Sequence, residues 1–335
     1  MARAELVAAL AGLSGVLSCV GTRLLIPLLR RRDVLDRPNQ RSSHDTPTPR
    51  GGGIAVIGAI VLAWTALNRG AGFAPAGLVI PLAAILLAIV SWLDDLRGLA
   101  PGWRLAAQIP MVALGLLVLP PEGRVFQGWL APPLDLAVAG LVWLWFVNLY
   151  NFMDGLDGLV GSETAAITAG LLLFGTVGAG RATDAAPLAA LIGAAAVGFL
   201  VWNWAPARIF LGDVGSVPLG YILGFVLLEL AARGWWKIAS ILPLYFLADA
   251  TITLAVRLLR REKIWRPHRD HFYQRAARGG LNHAEVVTRV IALDIALIGC
   301  GWAAENGGGL TALAAALALV GVFLRSLAAE RPARR

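Results

Sequence analysis

Five aspartates in three short segments could bind a divalent cation. Asp94 and Asp95 are adjacent, Asp154 and Asp157 lie in NLYNFMDGLDGL, and Asp213 lies in FLGDVGS between small residues. Asp154 and Asp157 would share one face of a helix if their segment were helical. Carboxylates suit Mg²⁺, which often bridges one or two of them to substrate phosphates. Each segment taken alone also fits a helix cap or a solvated helix end.

Amide and glycine residues accompany these acids. Asn148 and Asn151 precede Asp154, and glycines follow both Asp154 and Asp157. Glycine lets the backbone approach a ligand closely. The segment from 148 to 158 therefore predicts a site for a metal, a base or a sugar.

Basic residues supply a second set of candidates. The loop 257–289 contains Arg266, His268, Arg269 and His271 in RPHRDH. Guanidinium groups bind phosphate in bidentate fashion, and the two histidines add donors. The alternative is that this loop is basic only to orient the chain in a membrane. The first loop, which ends in PTPRGGG with Arg50, could close over a phosphate or sugar, or serve as a flexible linker.

The composition places these residues in a membrane protein. Of the 335 residues, 58% are hydrophobic and only 15% are charged, and the mean hydropathy is +0.70. Several apolar runs exceed the roughly 18 residues at which a membrane span becomes the expected structure. The net charge of +8 does not predict nucleic-acid binding, because the basic residues lie in short loops without an extended basic surface.

The apolar runs predict an all-α, polytopic transmembrane bundle that forms a single catalytic domain over residues 1–335. We expect eleven spans, with ten as the alternative count. The predicted spans are 4–29, 51–68, 75–93, 105–120, 133–149, 159–179, 185–204, 216–232, 236–257, 284–303 and 308–327.

The distribution of charge predicts the orientation. Most of the 29 Lys and Arg residues fall in alternate loops, which places the N-terminus outside and the C-terminus in the cytoplasm. The polar segments all lie on that cytoplasmic side. We therefore expect active-site loops near 30–50, 94–104, 150–158, 205–215 and 257–283.

The chemistry that fits this arrangement is phosphoryl transfer assisted by a metal. The sequence has no Walker-type loop and no Ser-His-Asp order. A lipid or solute transporter is the alternative from another class, but its polar groups should lie near the middle of the membrane rather than at one surface.

The ordered motifs resemble the polyprenyl-phosphate N-acetylhexosamine-1-phosphate transferase superfamily, glycosyltransferase family 4. PTPRGGG, the Asp94–Asp95 pair, NxxNFMDGxDGL, FLGDxGS and RPHRDHxYQR carry the resemblance, from about Asp36 to Arg278. It implies that undecaprenyl phosphate attacks the β-phosphate of a UDP-sugar and releases UMP. It also implies Mg²⁺, with Mn²⁺ as a substitute, a bacterial inner-membrane location, and a homodimer as one option.

The resemblance also implies roles for individual residues. Asp213 would bind the metal, with Asp154 beside it, while Asp94 and Asp95 would orient the lipid phosphate. Asp154, Asp157, His268 and His271 join the predicted catalytic set. The residues predicted to bind substrate are Asn148, Asn151, Asn203, Phe210, Arg266, Arg269 and Arg50.

Two departures favour the branch of the family that initiates O-antigen or other surface polysaccharides. Leu96-Arg97-Gly98 follows the aspartate pair without the lysine of the peptidoglycan branch, and RPHRDH replaces a histidine run. The expected donor is therefore a UDP-N-acetylhexosamine. Phospho-N-acetylmuramoyl-pentapeptide transfer is the alternative.

Overall fold

The computed structural model describes residues 3–38, 46–70, 74–120, 123–177, 185–263 and 268–330, and most of these are helical. Two short strands, β1 (Leu35–Asp36) and β2 (Thr48–Pro49), pair in antiparallel fashion. The helices in these ranges are α1 (Arg3–Arg31), α2 (Gly53–Gly70), α3 (Ala76–Arg97), α4 (Pro101–Leu116), α5 (Pro132–Phe152), α6 (Leu159–Val177), α7 (Ala185–Asn203), α8 (Asp213–Leu230), α9 (Trp236–Ile241), α10 (Leu244–Leu259), α11 (Phe272–Arg278), α12 (His283–Ala303) and α13 (Gly309–Ala329).

The predicted apolar segments are helical, with one interruption. The segment expected as a single span over 236–257 is divided into α9 and α10 at Leu242 and Pro243. Proline lacks a backbone N–H and cannot continue a regular helix. The loop expected from 257 to 289 also contains a short helix, α11.

Six helical segments are long and apolar enough to cross a membrane. They are Arg3–Arg31, Ala76–Arg97, Pro132–Phe152, Ala185–Asn203, Asp213–Ile241 and His283–Ala329. Large apolar side chains on their outer faces are exposed, among them Leu24, Leu82 and Leu141, as expected for contact with lipid. The all-α membrane protein is confirmed. The count of eleven spans and the outside N-terminus stay predictions.

The start of α8 is packed against the segment that leads into α2. Phe210 N donates to the carbonyl of Pro49 at 2.8 Å, and the N–H groups of Gly51 and Gly52 donate back to the carbonyl of Phe210 at 3.1 and 2.9 Å. A Cβ at Gly53 would lie 2.2 Å from Cα of Gly215. The glycines in PTPRGGG and FLGDVGS therefore let the two helix starts touch through their backbones.

Replacement of Gly53 should break this contact. We expect Gly53→Ala to destabilise the protein by about 1–3 kcal/mol, because the added methyl group must displace backbone atoms of α8. The melting temperature in detergent measures the effect. Gly58→Ala is the control, since nothing lies within 4 Å of a Cβ at that position of the same helix. Equal melting temperatures for the two variants would contradict the close packing of α2 on α8.

Candidate active site

Asp95 holds the N-terminus of α8. Its Oδ1 accepts from the backbone N–H of Asp213 at 3.2 Å, and its Oδ2 accepts from that of Val214 at 3.0 Å. The first N–H groups of a helix have no partner within the helix and favour a negative charge. The side chain of Asp95 is only 1% exposed. Asp95 therefore ties the end of α3 to the start of α8.

Arg50 bridges two of the aspartates. Its Nη2 lies 2.7 Å from Oδ1 of Asp95 and 2.6 Å from Oδ1 of Asp213. The backbone bridge between Arg50 and Phe210 sets the position of this arginine. The predicted phosphate-binding arginine and the predicted metal ligand are thus in direct contact.

Arg104 forms a second bridge, which the sequence analysis missed. Its Nε lies 2.5 Å from Oδ2 of Asp94, and its Nη1 lies 3.2 Å from Oδ2 of Asp213. Asp94 also accepts from the N–H of Leu99 at 2.6 Å. Arg104 lies in the first turn of α4, within the same predicted cytoplasmic loop as the aspartate pair. That location was the one sequence signal available for it.

Asp154 joins the same cluster from the loop that follows α5. Residues 154–158 are not helical, so Asp154 and Asp157 do not share a helical face. Burial raises the pKa of Asp154 to about 7; Arg50 opposes this shift, while Asp213 and Asp95 add to it. The carboxylate of Asp154 accepts from the backbone of Gly212, which is adjacent to Asp213, so Asp154 belongs with the aspartates around Arg50. We call Asp94, Asp95, Asp154, Asp213, Arg50 and Arg104 the acidic cluster.

Asp157 and Asn203 form hydrogen bonds between the loop after α5 and the segment between α7 and α8. Asp157 Oδ2 accepts from the N–H of Ala207 at 3.0 Å, and its Oδ1 lies 3.3 Å from Nδ1 of His283. Asn203 accepts from Gly158 N at 3.0 Å and donates to the carbonyl of Ile209 at 2.9 Å. Both residues thus connect the loop that carries Asp154 to the segment between α7 and α8. Their catalytic and substrate-binding roles stay predictions.

The two predicted asparagines contact neighbouring helices. Asn148 donates to Oε1 of Gln108 on α4 at 2.7 Å, and Asn151 donates to the hydroxyl of Ser216 on α8 at 2.9 Å. Because Ser216 lies in the first turn of α8, Asn151 fixes the end of α5 beside the acidic cluster. Phe210 contributes its backbone to the contact with Arg50.

The late loop carries the predicted histidines next to α10. His271 contacts Asp249, and the rings of His268 and His271 stack with centroids 5.0 Å apart. Burial, followed by the nearby His271 and Arg257, lowers the pKa of His268 to about 4, so that His268 is neutral at pH 7. The carbonyl of Arg269 accepts from Arg278. Arg266 falls outside the described residues.

Comparison with known proteins shows the family of the chain. The profile of glycosyl transferase family 4 matches residues 78–231. A phospho-N-acetylmuramoyl-pentapeptide-transferase from a Synechococcus strain is 31% identical over 331 residues, which cover 87% of this chain and 90% of the relative. The chain belongs to glycosyl transferase family 4. It is a phosphoglycosyltransferase, and a multi-pass membrane protein.

Other relatives carry different names at comparable similarity. A probable undecaprenyl-phosphate N-acetylglucosaminyl 1-phosphate transferase of Bacillus subtilis is 28% identical over 310 residues, covering 85% of this chain and 80% of the relative. A decaprenyl-phosphate N-acetylglucosaminephosphotransferase of Mycobacterium leprae is 28% identical over 315 residues, covering 83% and 79%. Both of these names specify N-acetylglucosamine and a polyprenyl phosphate and differ in the polyprenyl chain, whereas the Synechococcus relative is named for phospho-N-acetylmuramoyl-pentapeptide.

Arg104 should be as important to the enzyme as the predicted residues. We expect Arg104→Gln to lower kcat by about 100-fold, because Asp94 and Asp213 lose a shared partner and the site geometry relaxes. Arg97→Gln is the control, since Arg97 is an exposed arginine at the end of α3. Turnover of the two variants in the same detergent measures the difference. Similar activity in both would contradict a role for Arg104 in the site.

Proposed function

We propose that this enzyme transfers an N-acetylhexosamine 1-phosphate from a UDP-sugar to undecaprenyl phosphate. UMP is released, and the product starts O-antigen or another cell-surface polysaccharide at the cytoplasmic face of a bacterial inner membrane. The observation that carries the proposal is the acidic cluster, in which Asp213 lies between Arg50 and Arg104. Guanidinium and carboxylate groups at one surface suit a diphosphate and its counter-ion.

The arginines explain how the cluster tolerates four carboxylates at one place. Adjacent carboxylates repel each other, and each raises the cost of ionising its neighbours. Arg50 pairs with Asp95, and Arg104 pairs with Asp94 and Asp213, so the two positive charges compensate the carboxylates. The side chains of Arg50 and Arg104 are 34% and 39% exposed, so each can also present donors to an incoming phosphate.

The donor set fits Mg²⁺. Aspartate oxygens are hard ligands of the kind that Mg²⁺ prefers. In the described part of the chain no group of three acidic, cysteine or histidine side chains is already arranged around a common point, because the aspartates are paired with arginines. Asp213 and Asp154 would hold the cation, with Mn²⁺ as a substitute. When bound, it would neutralise the diphosphate of the UDP-sugar.

The residues of the chain would then set the geometry of the reaction. Asp94 and Asp95 lie at the end of α3, at the predicted membrane surface, where the phosphate of a lipid acceptor would arrive. Arg50 and Arg104 would orient the phosphate groups, because bidentate contacts restrict rotation. An oxygen of the acceptor phosphate would attack the β-phosphate, and UMP would leave.

A UDP-N-acetylhexosamine is the proposed donor. Leu96-Arg97-Gly98 and RPHRDH favour it over a muramyl-pentapeptide donor, and two of the relatives are named for N-acetylglucosamine. The 31% identity to a pentapeptide transferase favours the alternative donor. Only a direct comparison of donors separates them.

The donor assay tests this proposal. Purified protein in detergent is incubated with undecaprenyl phosphate, Mg²⁺ and a panel of UDP-sugars that includes UDP-N-acetylmuramoyl-pentapeptide, and UMP release is measured. We expect UMP with a UDP-N-acetylhexosamine and none without Mg²⁺. Release with the pentapeptide donor alone would establish the alternative, and no release with any donor would contradict the transferase reaction proposed here.

Asp213→Asn should abolish turnover. The variant keeps the size of the side chain but removes the charge that would bind the cation and that meets Arg50 and Arg104. Asp33→Asn is the matched control, because Asp33 is 68% exposed and pairs with Arg37 on the surface. Loss of more than about 1000-fold is expected for the first variant and none for the second. Near-normal turnover by Asp213→Asn would remove it from the site.

The rate should depend on pH through Asp154. Its pKa of about 7 means that the carboxylate is partly protonated at neutral pH. A cation binds the ionised form only, so activity should rise with pH through a midpoint near this value and the midpoint should fall as Mg²⁺ increases. Rate profiles at several Mg²⁺ concentrations measure the shift. A midpoint that does not respond to Mg²⁺ would contradict Asp154 as a ligand.

A further inference from the structure

Asp249 is a buried carboxylate on α10 that holds the start of α11. The residue has 0% exposure. Its Oδ1 accepts from the backbone N–H of Phe272 at 3.1 Å, and its Oδ2 accepts from that of Tyr273 at 3.2 Å. The hydroxyl of Thr253 donates to Oδ1 at 3.3 Å. Both oxygens of Asp249 are therefore acceptors in use.

His271 belongs to the same arrangement. Its Nδ1 lies 3.1 Å from Oδ1 of Asp249, and its side chain is only 3% exposed. The ring packs between His268 and Tyr273, with ring centroids 5.0 and 5.5 Å away. Because Oδ1 is an acceptor, this contact places the proton on Nδ1 of His271. The histidine is thus fixed in one orientation and closed to solvent.

Tyr273 connects this fixed segment to the end of α5, next to the loop that contains Asp154. It is fully buried, and its hydroxyl donates to the carbonyl of Phe152 at 2.9 Å. Phe152 is the last residue of α5, where carbonyl groups lack partners within the helix. A Cβ at Gly155 would lie 2.3 Å from the hydroxyl oxygen of Tyr273. Glycine at 155 is therefore required for the tyrosine to reach α5.

We propose that Asp249, His271 and Tyr273 form a buried support that positions the loop carrying Asp154. They are positioning residues. Asp249 fixes the start of α11, and Tyr273 on α11 holds the carbonyl of Phe152, two residues before Asp154. This replaces substrate contact as the role of His271. The inference rests on the proposed function only in that Asp154 acts in the reaction.

A double substitution tests the contact directly. We expect Gly155→Ala to lower kcat by about 100-fold, because the added methyl group collides with the tyrosine hydroxyl and displaces the loop. Tyr273→Phe should lower kcat by about tenfold through the lost hydrogen bond. The double variant should be more active than Gly155→Ala, since the colliding oxygen is gone. A double variant no more active than Gly155→Ala would overturn the proposal.

Tyr245→Phe provides the matched control. Tyr245 is another fully buried tyrosine, on α10, and its hydroxyl has no hydrogen-bond partner among the described residues. Its loss should leave kcat unchanged. If Tyr245→Phe and Tyr273→Phe lowered kcat equally, the effect would be one of general packing and the support would be contradicted.

Asp249→Asn tests the other end of the support. No orientation of the amide can accept from both Phe272 and Tyr273, because one of the two oxygens becomes an NH₂ donor that faces an N–H. We expect a kcat about 100-fold lower and a higher Mg²⁺ concentration for half-maximal activity. Unchanged kcat and Mg²⁺ dependence would overturn the proposal.

Hydrogen–deuterium exchange separates this inference from the proposed function, because it does not require turnover. Exchange of the amides in 153–158 should be faster in Tyr273→Phe and Asp249→Asn than in wild type and Tyr245→Phe. An inactive wild type with this exchange pattern would contradict the proposed reaction and support the positioning role. An active wild type with equal exchange in all four proteins would contradict the positioning role alone.

Discussion

The compensation of buried like charge is the constraint on which the site depends. Asp95 and Asp213 both lie within 2.7 Å of one guanidinium nitrogen of Arg50. Without that cation, carboxylates this close would repel each other strongly in a site shielded from water. The pairing also connects separate elements of the fold, because Asp95 lies on α3, Asp213 on α8 and Arg50 in the segment before α2. One ionic contact therefore joins three distant parts of the chain.

The remaining packing serves to hold that contact in place. Gly53 and Gly215 let α2 and α8 meet through their backbones, so the charged ends of both helices lie side by side. Asp95 also occupies the N-terminus of α8, where the helix dipole favours its charge. Glycine here has a positional role, since any side chain would separate the helices and stretch the ion pairs. Backbone contact and charge compensation reinforce each other.

The proposed chemistry depends on arginines that can exchange one anionic partner for another. Arginine pairs with carboxylate and with phosphate by the same bidentate geometry. Under the proposed function, the partly exposed arginines would release their carboxylates to a cation and would bind the diphosphate instead. This exchange would account for an acidic cluster in a family that acts on anionic substrates.

The sequence by itself determined the apolar helices, because hydrophobic runs are local properties of the chain. It also identified Asp94, Asp95, Asp154, Asp213 and Arg50, since their segments are ordered motifs. Only the tertiary structure decided which of these residues meet, because ion pairs such as Arg50 with Asp213 join positions far apart in sequence. Arg104 joined the cluster, and Asp157 was placed against Ala207 and His283, through packing that no local pattern encodes.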